Sequence, residues 1–215
     1  MKHVYFITGT DTEVGKTYIA TKIIERISSS IGWVAYLKPF QTGCVMDCGE
    51  RFTSPDVDHV KAMLGEMVDC HVLYQHHIPS APMVAARNAG EEIDFDASVN
   101  WVRNRVEEYE AAIVEGAGGL MVPITPDKTI IDFARALGYP VILVAANRLG
   151  CINHTLLSVE ALKARGMGIS RIVLNNMEPG EPDGVMNTNA EMIRAFAPGI
   201  EVVEVIYGGT LPFDI

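Results

Sequence analysis

The chain's most pointed arrangement of reactive groups is Thr8-Gly9-Thr10-Asp11-Thr12-Glu13-Val14-Gly15-Lys16-Thr17, a glycine-bounded loop that ends in a lysine and a hydroxyl. Glycines let backbone N–H groups turn inward onto an anion, and a helix starting there adds a favourable dipole. A lysine at the loop's end reaches the terminal phosphates of a nucleotide, and the threonine beside it offers an oxygen of the kind Mg²⁺ accepts. Five residues separate Gly9 from Gly15, one more than the four of the general phosphate loop. The competing reading is a glycine-rich strand-to-helix turn with a chance Lys-Thr.

Two further segments place polar groups directly after apolar runs. Lys38-Pro39-Phe40-Gln41-Thr42-Gly43 follows Trp33-Val34-Ala35-Tyr36-Leu37 and brings an ammonium and a hydroxyl together. A lysine at a strand end usually only snorkels to water, so it is the company of Thr42 and the glycine loop that favours catalysis. Ala111-Ala112-Ile113-Val114 delivers Glu115, then Gly116-Ala117-Gly118-Gly119, small residues that admit a ligand close to the backbone. A carboxylate after such a run is costly to bury without a cation, which favours a metal ligand over an ordinary strand-end acid.

These groups need elements to carry them, and apolar periodicity supplies the outline. Strands are expected over 4–7, 33–37 (closed by Lys38-Pro39), 111–115, 140–145, 169–174 and 201–205, and helices from 16 onward and near 56–65, 97–109, 130–138, 154–166 and 186–197. Apolar strands alternating with amphipathic helices predict an α/β fold, one domain over residues 1–215, with a mostly parallel sheet and helices on both faces. Ligands in such sheets bind outside the carboxyl ends of the strands, where the segments above all lie. A formal charge of −10 argues against nucleic acid or anionic lipid as partners, since phosphate attraction needs clustered Lys and Arg. No apolar stretch is long enough for a bilayer, and Met1-Lys2-His3 leads straight into a strand with no cleavage pattern, so a cytoplasmic location is expected. Cys44 and Cys48 with His59 or His71 could hold a metal, but no second pair at ligand spacing follows, so reduced thiols are expected. His3, His76 and His77 are expected at surface or loop positions.

Taken together, four motifs resemble one family, the dethiobiotin synthetases, which close the ureido ring in biotin synthesis at the expense of ATP. They are Gly-Thr-Asp-Thr-Glu-Val-Gly-Lys-Thr over 9–17, Lys-Pro-Phe-Gln-Thr-Gly over 38–43, Val-Glu-Gly-Ala-Gly-Gly-Leu over 114–120 and Leu-Gly-Cys-Ile-Asn-His over 149–154. They occur in the family's order and span most of the chain, and the long loop has the family's normal length. The resemblance implies a P-loop nucleoside-triphosphatase fold and Mg²⁺ held by Thr17, Asp56 and Glu115. It puts Glu13, Val14, Gly15, Lys16, Thr17 and Tyr18 around ATP, together with Glu115, Gly116, Ala117 and Gly118. Asp58 stays open beside Asp56, because acids also suit a helix amino terminus.

Lys38 matches the family's active-site lysine, and Thr42 its substrate-contacting Ser or Thr. Asn175, with Asn176 beside it, matches the residue that reads adenine; an amide has the donor and acceptor this needs, and a plain Asn-Asn turn is the alternative. Val205-Ile206-Tyr207 stands where the family usually has a proline next to an aromatic, with Ile206 at the proline position. Cys151, Ile152 and Asn153 correspond to a helix start that receives the substrate carboxylate across a homodimer interface, against the simpler reading of a capped helix. The family's final helix is expected to be short or absent.

The implied reaction joins CO₂ to one amine of 7,8-diaminopelargonate, lets the carbamate oxygen attack the γ-phosphate of ATP, and closes the ring with the second amine. Lys16, Lys38 and Mg²⁺ would stabilise charge, with Thr12 and Thr42 holding the carbamate. One rival is an ATP-driven switch of the partitioning type, whose loop normally carries an extra lysine where Thr10 and Asp11 stand here. Another, an amidating cobyrinate synthase, needs a glutaminase domain for which 215 residues leave no space.

Overall fold

A computed structural model describes residues 2–46, 52–180, 184 and 186–213. The chain runs through β1 (His3–Gly9), α1 (Lys16–Ile31), β2 (Val34–Thr42), a small antiparallel pair β3 (Val45–Met46) and β4 (Phe52–Thr53), and α2 (Pro55–Leu64). A 3-10 turn at Gly65–Met67 leads to β5 (Val68–His76), α3 (Pro82–Asn88), α4 (Phe95–Glu107) and β6 (Ala111–Gly119). Then come α5 (Ile130–Leu137), β7 (Val141–Ala146), α6 (Cys151–Lys163), β8 (Ile169–Asn175), α7 (Met186–Phe196) and β9 (Glu201–Val205).

Among the described residues, seven strands form one sheet in the order β5-β2-β6-β1-β7-β8-β9, with every pairing parallel. Central parallel strands are covered on both faces, which is why β7 is apolar and buried at every position. On one face Ile19, Ile23, Ile24 and Ile27 of α1 and Val57 and Val60 of α2 pack on Ile7, Ile113 and Ile142. On the other, α4 and α5 bring Val99, Val102, Val106 and Phe133 against Phe6, Leu37 and Val114, and α6 and α7 bring Val159 and Ile193 against Leu143 and Ile172. Burying each such side chain contributes roughly 1.5–3 kcal/mol, so these stripes hold the strands in order. A reciprocal cap fixes the start of α5: the Thr129 backbone N–H donates to Asp132 Oδ2 at 2.9 Å. No helix among the described residues is long and apolar enough to cross a membrane.

The structure corrects the expected outline at several points. β2 does not close at Lys38-Pro39 but runs on to Thr42. It leaves β6 after Leu37 and stays with β5, so one side of the strand carries no ladder there, the setting in which a proline is tolerated. Trp33 lies outside the strand and is 63 % exposed. β6 continues through the glycines to Gly119, so Glu115 sits inside a strand rather than at its end. β5 and α3 are additional elements, and His76, which ends β5, is buried with Nε2 3.1 Å from Glu91 Oε2 rather than on the surface.

Candidate active site

The loop between β1 and α1 turns on Gly15, whose φ of 88° is left-handed backbone that side chains resist. A Cβ at this position would also overlap the Asn175 amide, so the loop and the end of β8 approach as closely as glycine permits. Lys16 opens α1, is almost fully buried, and donates to the Asp11 carbonyl at 2.9 Å. Burial, reinforced by the Lys38 charge, pulls the Lys16 ammonium down to about 8, against the opposing pull of Glu115, Asp56 and Asp11. Val14 is buried, Glu13 is exposed with φ 57°, and Tyr18 lies under Lys22, whose Nζ is 5.8 Å from the ring centroid.

Beside the loop, four elements converge. Thr17 Oγ1 of α1 lies 3.1 Å from Asp56 Oδ1 and 3.0 Å from Glu115 Oε1, so its one hydroxyl proton can go to either carboxylate. Lys38 of β2, 4 % exposed, reaches Glu115 Oε1 at 2.6 Å, Asp56 Oδ2 at 2.7 Å and the Gly116 carbonyl at 3.2 Å. Burial opposes the charge on Lys38, but Glu115 and Asp56 outweigh it and hold the ammonium above its ordinary range. Burial likewise pushes the Asp56 carboxyl up, and the charge and hydrogen bond of Lys38, with help from Thr17 and Gln41, bring it below the usual carboxylate range. Asp58 stands on the exposed side of α2. Among the described residues no three His, Cys, Asp or Glu side chains gather as a metal cluster. The donor set is two carboxylates and a hydroxyl, hard oxygen atoms that suit Mg²⁺ rather than a thiolate metal. Cys44, Cys70 and Cys151 are free thiols, and Cys48 lies outside the described residues.

These side chains line a cleft of about 510 Å³, together with Thr12, Thr42, Gln41, Ala117, Gly118, Pro79 and Ser80. A second hollow of about 790 Å³ opens along the loop's other flank, lined by Asp11, Thr12, Glu13, Arg148, Asn175, Asn176, Met177 and Glu178 among others. Asn175 Nδ2 donates to the Val14 carbonyl at 3.1 Å, while its buried Oδ1 has no hydrogen-bond partner among the described residues. The Asn176 amide is committed elsewhere: Nδ2 donates to Val205 O at 3.1 Å, and Oδ1 accepts from Asn147 at 2.8 Å. Asn189 of α7 completes this buried chain by donating to Asn147 Oδ1 at 2.8 Å. Val205 is buried, whereas Ile206 and Tyr207 are exposed at the end of β9. Cys151, Ile152 and Asn153 form the first turn of α6 and do not line the 510 Å³ cleft of their own chain.

Sequence reasoning missed Tyr36, whose hydroxyl donates to Glu115 Oε2 at 2.8 Å. Burial, then the charges of Glu115 and Asp56, push that phenol well above its ordinary range, so it keeps its proton and donates. A phenol placed two residues before a strand lysine was the available signal, because the two share a face. Asn147 and Asn189 carried no such local signal.

A wholly parallel sheet with a phosphate loop leading from its central β1 into α1 defines a P-loop nucleoside-triphosphatase. The likeness extends to solved structures: a ParA family ATPase from Chlorobium tepidum TLS covers 94 % of this chain and 82 % of its own at TM-score 0.55 and 16 % identity. The septum site-determining protein MinD from Pyrococcus horikoshii OT3, complexed with Mg-ADP, covers 96 % and 82 % at TM-score 0.58 and 15 % identity. At such identities the likeness is one of fold. A family model described as an AAA domain matches residues 3–214. Among curated proteins, the ATP-dependent dethiobiotin synthetase BioD of Anaeromyxobacter sp. strain Fw109-5 is 41 % identical over 88 % of this chain and 83 % of its own. The protein of that name from Bacillus cereus strain ATCC 14579 is 35 % identical over 97 % and 83 %. The chain belongs to the ATP-dependent dethiobiotin synthetase family, a family of ligases.

Proposed function

We propose that the chain converts 7,8-diaminopelargonate, CO₂ and ATP into dethiobiotin, ADP and phosphate. The observation that carries this reading is the convergence of Thr17, Lys38, Asp56 and Glu115 in a cleft that Thr12 and Thr42 also line. One substrate amine adds to CO₂ and gives up a proton, forming a carbamate. A carbamate oxygen then bonds to the γ-phosphorus of ATP as the bond to ADP breaks. The second amine attacks the carbonyl of this carbamic-phosphoric anhydride, loses a proton and expels phosphate, closing the ring.

No side chain need become a nucleophile in this sequence, so the residues act by position and charge. Lys16 and Lys38 face the negative charge that spreads over the γ-phosphate oxygens. Thr12 and Thr42, which line the same cleft, hold the carbamate. Mg²⁺, held by Thr17, Asp56 and Glu115, would neutralise charge on the β- and γ-phosphate oxygens. The unpartnered Asn175 Oδ1 and the hollow beside it support an adenine site there, with Asn176 serving to brace the pocket floor. The start of α6, where Cys151 is buried, Ile152 half-buried and Asn153 exposed, follows Leu149, 86 % exposed, and suits the substrate carboxylate of a second copy across a homodimer interface. ATP and CO₂ as substrates fit a cytoplasmic enzyme.

The inward aim of Asp56 predicts a contrast within α2. Asp56→Asn is expected to raise the Mg²⁺ needed for half-maximal turnover by at least the roughly tenfold that loss of an outer metal partner costs. Asp58→Asn, on the exposed side, is expected to leave it unchanged. A Mg²⁺ titration of phosphate release checks both, and a larger effect at Asp58 would move the ligand there.

The reaction itself is tested by following phosphate release from Mg-ATP with bicarbonate, with and without 7,8-diaminopelargonate, while dethiobiotin is measured by mass spectrometry. Phosphate formed in step with dethiobiotin, and only with the diamine, is the expected result. Hydrolysis indifferent to the diamine would overturn the synthetase reading and favour an ATP-driven switch.

A further inference from the structure

We propose that Tyr36 is a positioning residue for the cation site: its hydroxyl ties down one oxygen of Glu115 so that the other faces Thr17 and the metal. This rests on the reading above that Glu115 is a metal ligand. The position asks for an apolar residue, since Tyr36 is fully buried in a cluster of isoleucines and valines on the α1 side of the sheet. A phenol there carries a hydroxyl that is costly to bury unless it is paired. Its partner is Glu115 Oε2, at 2.8 Å.

Register explains how the pair meets. Tyr36 and Lys38 lie two residues apart on β2 and so share a face. Tyr36 stands opposite Ile113 on β6, which puts Glu115 two residues further along on that same face. The carboxylate is thereby divided between its neighbours. Oε2 accepts from the neutral phenol, while Oε1 accepts from Thr17 at 3.0 Å and Lys38 at 2.6 Å. The bond at Oε2 restrains rotation of the carboxylate and favours the orientation in which Oε1 faces Thr17 and Lys38. Outer partners of this kind set how well a metal ligand is aimed.

The test uses the intact protein with Mn²⁺ as a spectroscopic stand-in for Mg²⁺. Mn²⁺ binding in the presence of ADP would be followed by electron paramagnetic resonance for the unaltered chain, Tyr36→Phe, Tyr36→Leu and Glu115→Gln, alongside melting temperature and metal-free ADP affinity. Tyr36→Phe keeps the ring and removes only the hydroxyl, so it is expected to weaken Mn²⁺ by about tenfold or more while ADP affinity without metal stays the same. Tyr36→Leu is expected to weaken Mn²⁺ similarly and also to lower the melting temperature. Weakening by Tyr36→Leu alone would reduce Tyr36 to packing and overturn the inference. Unchanged binding in Tyr36→Phe with weakened binding in Glu115→Gln would overturn it and leave the metal reading intact. Unchanged binding in Glu115→Gln would overturn both.

Discussion

Lys38→Ala is expected to slow turnover by about 10²- to 10³-fold while nucleotide binds nearly as before, the loss seen when one preorganised donor to a developing charge is removed. The expectation follows from where the ammonium lies. It is nearly sealed from water, 2.6 Å from Glu115 and 2.7 Å from Asp56, and it opens on the cleft rather than on the hollow beside Asn175. On the proposed reading, ground-state nucleotide binding would draw on the loop amides, Lys16 and the base site, which the substitution leaves in place. On the same reading, the phosphoryl group in transfer would be what loses a partner. The same change leaves two carboxylates facing each other without their shared cation, so the altered protein should depend more on Mg²⁺ for its melting temperature. Steady-state kinetics beside ADP titration separates the two effects. Turnover within a few fold of the unaltered protein would make Lys38 a counter-charge for the acids and nothing more.

The phosphate loop was legible because its chemistry is local: glycines, a lysine and a threonine stand together between an apolar run and a helical stripe. Lys38 and Glu115 could be singled out for the same reason, each following a run of apolar residues. Their meeting could not, for it depends on β2 and β6 being neighbours across 77 residues of sequence. Pro39 read as a stop, because a proline removes a ladder donor, yet it falls where β2 has already parted from β6. β5 escaped notice because Asp69, His71 and Gln75 interrupt its apolar residues, as suits an edge strand paired on one side. Tyr36 read as one more apolar strand residue until the register set it opposite Ile113. The Asn176–Asn147–Asn189 chain is wholly tertiary, joining residues 29 and 42 apart through side-chain amides.

Gly15→Ala should fail by two routes that can be measured apart. The φ of 88° strains any side chain by about 1–3 kcal/mol. The new methyl group would also overlap the Asn175 amide and displace it from the Val14 carbonyl, a hydrogen bond worth about 1 kcal/mol. Together these predict a loss of about 2–4 kcal/mol, seen as a melting temperature about 5–15 °C lower for a chain of this size. Asn175→Ala alone leaves the buried Val14 carbonyl without this donor and costs about 1–3 kcal/mol. In the double variant the overlap has gone and the lost hydrogen bond is counted once, so the combined cost should fall short of the sum by about 1 kcal/mol or more. Denaturant unfolding of the four proteins measures that coupling. Strict additivity would mean that Gly15 is needed for its backbone angle alone. A marked coupling would mean that the glycine loop and the end of β8 are locked by the space a missing side chain leaves, so that the two segments move as one body.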